Sequence, residues 1–370
     1  MSSQDEKIKT ENFKKKEAIA NNERIAINRI NAWLQEVSFL DFYNEISKKV
    51  IGQDDGLKYL CSCVYHYFET IAKGRPTKER IMLIAPSGCG KTETYRVIQA
   101  YFKEKLDFLP VYQYDCTRLT ENGFKGDDSD ALTTELFYPN CVNGIGIVFL
   151  DELDKKILPS YSGRGENVNE KAQYSILTLL EGCKVSNDND MSITTTKTLF
   201  IGTGAFTEVR ERKMNNKPYN LGFIENQKEP EVSIYDGITR DDLIECGGCY
   251  ELIGRFSAIV NYRKLTDEAV RRVVNLMVKE EMEDYDIVIE VDESFIQKCI
   301  EESNSPFGCR NLYSKLHSRI VDQYVNIMTQ SSRERVSKII ISEDGDSVEY
   351  MTLPEEDDKF VKNYRLAERD

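Results

Sequence analysis

Residues 81–92 read Ile-Met-Leu-Ile-Ala-Pro-Ser-Gly-Cys-Gly-Lys-Thr, and Glu-Thr-Tyr-Arg-Val-Ile-Gln-Ala follows. An apolar run that passes through a glycine-rich turn into a helical pattern is the strand–loop–helix of a phosphate loop, G-x-x-x-x-G-K-[ST], here with Ala85 in the first position. The chemistry calls for these residue types. Gly88 and Gly90 let backbone N–H groups turn inward as an anion nest at a helix N-terminus, where the macrodipole also favours negative charge. Pro86, Ser87 and Cys89 complete the loop, Lys91 reaches the β- and γ-phosphates, and the Thr92 hydroxyl is a ligand for Mg2+. ATP and Mg2+ are the cofactors implied. Cys89 needs only to be small, and its oxidation is a second, weaker reading of that position.

Working outward, three further apolar runs have the same character: Leu109–Tyr114, Ile145–Leu150 and Thr198–Gly202. Near-continuous hydrophobic strands separated by amphipathic stretches predict a parallel sheet covered by helices on both faces, an α/β fold. The run Ile145–Leu150 ends in Asp151-Glu152. A carboxylate at the C-terminal end of a buried strand is costly unless it binds something, and ligands sit at strand C-termini in such sheets. Asp151 is the candidate Mg2+ carboxylate and Glu152 the candidate base that polarises the attacking water. Together with the phosphate loop they predict an ATPase.

Four segments are expected. Residues 1–46 form a helical extension, 47–260 the α/β ATPase domain, 261–354 a smaller, mainly helical domain, and 355–370 a charged tail. In the first, Ile27, Ile30, Trp33, Leu34 and Val37 fall at helical spacing, a stripe that packs either on the body of the protein or on a neighbour. In the third, Leu312, Leu316, Ile320, Tyr324 and Ile327 share one helix face, accompanied by β patterns at 287–291 and 338–341.

Composition narrows the function. The chain has 370 residues, 40% of them hydrophobic and 30% charged, a globular balance. No run approaches the roughly 18 apolar residues of a membrane span, and the start MSSQDEKIKTENFKKK is not a signal peptide. Lys and Arg total 49 against 63 Asp and Glu, a net charge of -14 that repels phosphate backbones and disfavours nucleic acid as a partner. Ten cysteines without a secretory signal read as free thiols in a reducing, cytoplasmic compartment. Cys246-Gly-Gly-Cys249 has metal or redox spacing, but with no second pair nearby a packing role is the simpler reading.

On these motifs the chain resembles the ClpX branch of the AAA+ protein unfoldases, from about Val50 to Pro354. Val50-Ile51-Gly-Gln53 looks like that family's segment ahead of the phosphate loop, whose apolar residues pack on adenine. Asp151-Glu-Leu-Asp-Lys155 looks like its Walker-B strand end, and Thr203 lies near its polar sensor-1 position. Glu251-Leu-Ile-Gly-Arg255-Phe resembles the arginine-finger box, and Gly308-Cys-Arg310-Asn-Leu the sensor-2 motif. A guanidinium near the γ-phosphoryl oxygens stabilises the charge that hydrolysis builds there, whether supplied in cis or in trans. The resemblance implies a homo-hexamer, because a finger acting in trans needs a ring that closes.

It further implies protein substrates. Gly123-Phe124-Lys125-Gly126 resembles the central-pore loop, with Phe in place of the usual tyrosine and Lys in place of a small apolar residue; the alternative is a surface turn with a partly exposed Phe. Arg164, within 161–170, corresponds to a second pore segment. Leu221-Gly222-Phe223 resembles the tripeptide that docks on the ClpP peptidase, or else folds back on its own domain. Residues 1–46 contain no cysteine or histidine, so the family's N-terminal zinc-binding domain is missing. The expected activity is ATP-driven threading of polypeptide, feeding a ClpP-like peptidase. The alternatives are a peptidase-independent remodeller of one complex and a nucleic-acid-associated AAA+ ATPase.

Overall fold

The apolar run ahead of the phosphate loop is a central strand, buried along its whole length, and the fold is arranged around it. A computed structural model describes residues 3–118, 142–157, 159–161, 163, 165, 167–182, 184–186, 192–215, 237–285, 287–303, 308–329 and 334–352. These fall into two compact units, 1–264 and 265–370. The pore-loop residues Gly123, Phe124, Lys125 and Gly126, the docking residues Leu221, Gly222 and Phe223, and Arg164 lie outside the described residues.

In the first unit, helices α1 (Ser3–Glu36), α2 (Phe39–Ser47) and α3 (Asp54–Ala72) precede strand β1 (Arg80–Ile84). Helix α4 (Lys91–Lys105) follows the phosphate loop, then β2 (Val111–Asp115) and β3 (Gly146–Asp151). A small antiparallel pair, β4 (Lys184–Ser186) and β5 (Ser192–Thr194), stands apart from the main sheet, which β6 (Thr198–Gly204) and β7 (Ala258–Asn261) complete. The order is β2-β3-β6-β1-β7, and every pair is parallel.

Successive residues along a strand point to opposite faces, and here both faces are apolar. Ile81 and Leu83 belong to one core with Ile147, Phe149, Leu199 and Ile201, packed under α1 to α4. Met82 and Ile84 belong to a second core with Val148, Leu150 and Phe200, packed under helices Val168–Glu181 and Tyr250–Arg255. The parallel α/β class read from the four apolar runs is therefore the observed one. The fifth strand, β7, was not among them: at four residues, alternating buried and half-buried at the sheet edge, it presents no continuous apolar run.

Ala26, Ile30 and Trp33 of α1 are core residues of the first unit, with Leu34 and Val37 packed against them. The stripe thus rests on the protein's own body. Ser38 caps α2 with reciprocal bonds to Asp41, a capping box that fixes where this helix begins.

The second unit carries helices Asp267–Tyr285, Glu293–Ser303 and Arg310–Thr329, with Leu312, Leu316 and Ile320 buried. Its sheet has three strands. β8 (Val288–Val291) pairs in parallel with β9 (Glu334–Ile341), and β10 (Ser347–Thr352) pairs with β9 antiparallel. Among the described residues no helix is long and apolar enough to cross a membrane.

Candidate active site

The phosphate loop leaves β1 at Ile84, beside the C-terminal end of β6, where Ala85 donates its N–H to the carbonyl of Gly204 at 3.2 Å. The direction of crossovers reverses here. From β1 the chain moves to the β2 edge, whereas from β6 it passes over to β7, so the crevice expected of a doubly wound sheet opens at these two strand ends. Gly88 and Gly90 have φ of 73° and 93°. Those left-handed values are of the kind an anion nest needs, and a side chain would be strained in them even though a Cβ on Gly90 would meet nothing within 4 Å.

Lys91 opens α4, and its ammonium folds back on the loop, donating to the carbonyls of Ala85 at 2.5 Å and Pro86 at 3.2 Å. Burial pulls its pKa down; the nearby carboxylates Asp154, Asp151 and Glu152 act in the opposite sense. Thr92, in the first turn of α4, is exposed, as are Pro86, Ser87 and Gly88 in part, whereas Cys89 is buried beneath them. An inward nest, a lysine resting on weak carbonyl partners and an open face match a polyphosphate in charge and shape.

Asp151 ends β3 in register with Asp115 of β2, and the preceding pair Leu150–Gly202 brings Thr203 of β6 alongside it. Buried Thr203 donates from Oγ1 to Asp151 Oδ1 at 2.6 Å. Gln113 donates from Nε2 to Oδ2 at 2.5 Å, and the N–H of Glu152 reaches Oδ1 at 3.0 Å. Three donors hold this carboxylate in one orientation. A hydroxyl at the head of α4 and one oriented carboxylate fit the sparse donor set that Mg2+ takes from proteins, the remainder coming from phosphate and water.

Glu152 has φ 53°, an uncommon conformation for a residue with a side chain. Much of the residue is open to solvent, yet partial burial, then the neighbouring carboxylates Asp154 and Asp151, push its carboxyl above the usual range. That is the direction expected of a group that must take up a proton.

Sequence reasoning passed over two members of this site. Gln113 projects from the middle of β2 and carries no motif. Asp154, 4% exposed, accepts the N–H of Phe206 on Oδ2 at 3.1 Å, while its Oδ1 has no hydrogen-bond partner among the described residues. A Cβ on Gly204 would lie 2.8 Å from that oxygen, so the close approach requires glycine. The signal for Asp154 was present in Asp151-Glu-Leu-Asp154, an acid one helical turn beyond the strand end.

Arg255 is elsewhere. It ends a short helix just before β7, whose first residue pairs with Ile81, and Ser257 donates its N–H to the carbonyl of Arg80 at 2.7 Å. This is the N-terminal edge of the sheet, a strand's length or about 15 Å from the phosphate loop. There its guanidinium pairs with Glu181, both side chains about half exposed. Val50 is built into the first core at 2% exposure, and Ile51 is buried outside that core. Arg310 is exposed at the start of its helix in the second unit, preceded by Gly308 at φ 55°.

Cys246 is buried, and Cys249 donates from Sγ to Glu251 at 3.0 Å. Among the described residues no three of His, Cys, Asp and Glu gather as a metal-ligand set.

A family model described as "AAA domain (Cdc48 subfamily)" matches residues 77–259, from just before β1 into β7. Curated proteins named "ATP-dependent Clp protease ATP-binding subunit ClpX" are similar to the chain. That of Treponema denticola is 27% identical over 73% of this chain and 73% of its own length. That of Bacteroides thetaiotaomicron is 27% identical over 80% and 77%, and that of Borrelia duttonii 26% identical over 81% and 76%. The matched segment contains the phosphate loop, Asp151, Glu152 and Thr203. The chain thus carries an AAA domain over residues 77–259 and is an ATPase similar to these ClpX proteins.

Proposed function

We propose that this ATPase works as a homo-hexameric ring that unfolds polypeptide, threads it through a central pore and passes it to a ClpP-type peptidase. The observation that carries the reading is the place of Arg255. It pairs with Glu181 about a strand's length from its own phosphate loop, which supports a role at a neighbour's site rather than its own, and heterologous contacts of that kind can close into a ring. The names of the relatives support protein as the substrate and a Clp protease as the recipient.

ATP with Mg2+ supplies the anhydride whose hydrolysis drives the work. Lys91 exchanges the carbonyls of Ala85 and Pro86 for phosphate oxygens, and the Gly88–Gly90 turn offers its N–H groups. Thr92 and Asp151 hold the cation, Asp151 kept in place by Thr203 and Gln113. Glu152 accepts the proton of the attacking water, and Arg255 of one subunit, with Arg310, neutralises charge that builds on the phosphoryl group. Phe124 between Gly123 and Gly126 grips substrate by apolar area, with Lys125 beside it, while Leu221-Gly222-Phe223 docks the peptidase.

The test supplies ATP, a stably folded fluorescent protein with an unstructured tail, and a ClpP-type peptidase. Fluorescence should fall with ATP, the fall should be lost in Phe124→Ala, and degradation should be lost in Leu221→Ala/Phe223→Ala. Unfolding without degradation, unaffected by the docking substitutions, would favour the peptidase-independent remodeller. ATP turnover stimulated by DNA and indifferent to Phe124→Ala would overturn the reading.

A further inference from the structure

Arg80, the first residue of β1, is 5% exposed. Among the described residues its guanidinium bonds to carbonyls and to no carboxylate. Nε and Nη2 donate to the carbonyl of Leu180 at 3.1 and 2.8 Å, and Nη1 donates to those of Glu79 at 2.7 Å and Thr77 at 3.5 Å. The group also lies 5.5 Å from the centroid of the Phe200 ring. Burial pulls its pKa down to about 10, with Tyr67 and Glu79 acting in the opposite sense. A cation kept out of water without a bonded acid costs stability, and what it offers over a neutral filler is the rigid fork of donors.

The fork joins two helix ends. Leu180 and Glu181 close helix Val168–Glu181, where the carbonyl of Leu179 also accepts from Thr195 Oγ1 at 2.8 Å. Gly182 then turns the chain at φ 101°, and a Cβ on it would lie 2.5 Å from Thr196, so this end stops in one way only. The backbone of Arg80 holds the other end. Its N–H donates to Ser257 Oγ at 3.1 Å and its carbonyl accepts the N–H of Ser257 at 2.7 Å, just beyond Arg255, the last residue of helix Tyr250–Arg255. One buried residue therefore fixes, from beneath, both partners of the half-exposed Glu181–Arg255 pair.

An exposed ion pair holds a long side chain only loosely, so the direction in which Arg255 leaves the surface is set by the helix ends under it. Arg80 itself stands at the start of β1, a strand's length from the phosphate loop at the other end. We infer that Arg80 is a positioning residue for Arg255: through the end of helix Val168–Glu181 and through Ser257 it fixes the platform from which Arg255 reaches the neighbouring subunit's phosphates. This rests on the reading of Arg255 as a finger acting in trans. Loss of Arg80 should then harm the subunit that gives the finger and spare the subunit that holds the ATP.

The test mixes two full-length variants and follows phosphate release. Arg255→Ala subunits keep their nucleotide site and lack the finger, whereas Lys91→Ala subunits keep the finger and lack the site. Turnover above that of either alone comes from a Lys91→Ala finger in an Arg255→Ala site. Adding Arg80→Met to the Lys91→Ala subunit should lower that turnover by about tenfold or more, since a 1 Å misplacement costs up to about 100-fold. Adding it to the Arg255→Ala subunit should change kcat and KM for ATP by no more than about twofold, because no transition-state contact is lost on that side. Glu181→Gln in the finger-giving subunit should cost at most about fivefold, the contribution of an exposed pair. Arg80→Lys keeps the charge but reaches a single point in place of a fork, so it should show the same asymmetry and keeps the test open if Arg80→Met folds poorly. Equal loss on both sides, loss confined to the ATP-holding side, or no loss on either overturns the positioning role and leaves the trans finger standing. A mixture with native Arg80 that turns over no faster than its separate components overturns the trans reading and the inference together.

Discussion

Thr203→Val is the sharpest single test of the site, because it removes one proton donor and little else. Thr203 is 3% exposed on β6, where a β-branched side chain of the same shape fits the strand. The substitution deletes the 2.6 Å bond to Asp151 Oδ1 and leaves that oxygen with only the N–H of Glu152 at 3.0 Å. A hydrogen bond to an ionised group contributes about 1.5–3 kcal/mol. If that free energy is spent on holding Asp151 in the geometry hydrolysis needs, kcat falls by about 10- to 150-fold. Nucleotide affinity changes far less, because Lys91 and the loop N–H groups remain. Phosphate release under saturating ATP measures kcat, and equilibrium titration with a fluorescent ATP analogue measures binding. Thr203→Ser keeps the hydroxyl and should stay within a few-fold of the parent. A Thr203→Val enzyme with near-parental kcat, or a Thr203→Ser enzyme as impaired as Thr203→Val, would refute the argument that this hydroxyl orients Asp151.

Four further outcomes are expected. Lys91→Ala should lose nucleotide binding, whereas Glu152→Gln should bind and stall; normal turnover by Glu152→Gln in a phosphate-release assay contradicts its role as base. Arg255→Ala should impair hydrolysis with little loss of binding, and titrating in Lys91→Ala subunits, which keep Arg255, should restore part of it if the finger acts in trans. Trp33→Ala removes a ring in contact with Phe42, Tyr65, Phe68, Tyr101 and Phe102, and should lower the stability of the first unit by about 3–5 kcal/mol in chemical denaturation. Glu23 supplies a pH test. Burial pushes its carboxyl up, but the bonds from Lys197 and Asn143 outweigh that and hold it below its ordinary value of 4.5. A depressed folded-state pKa adds stability above the unfolded value and loses it as pH falls through the folded one. Glu23→Gln should therefore lower the melting temperature at pH 7, and the difference from the parent should shrink as the pH falls below 4.5; a difference independent of pH would sink the assignment.

Local chemistry made much of this protein legible in its sequence. The phosphate loop needs glycine at fixed places, a lysine and a hydroxyl at a helix start, and a buried strand before them, and every one of those demands acts within about a dozen residues. The three interior strands of the main sheet, β1, β3 and β6, announced themselves for a similar reason: both their faces are covered, so nearly every residue is apolar. Edge strands signal less: β2 is only partly buried and showed as an apolar run interrupted by Gln113. β7 is half-buried, and β10 sits beside β9 only because the chain returns to it, so neither stood out from its surroundings.

What joins distant segments was decided by the tertiary structure alone. Gln113 and Asp151 are 38 positions apart, Thr203 and Asp151 are 52 apart, and Gln53 and Arg263 are 210 apart. Strand order and register bring the first two pairs within hydrogen-bonding distance, and a one-residue slip would turn Gln113 or Thr203 to the opposite face of the sheet. The sequence alone determined that this chain holds a phosphate loop and an acid pair in a parallel α/β sheet. Which donors orient the acid, which residues tether the loop, and that Arg255 stands at the far edge of its own sheet depended on long-range pairing, which no local pattern encodes.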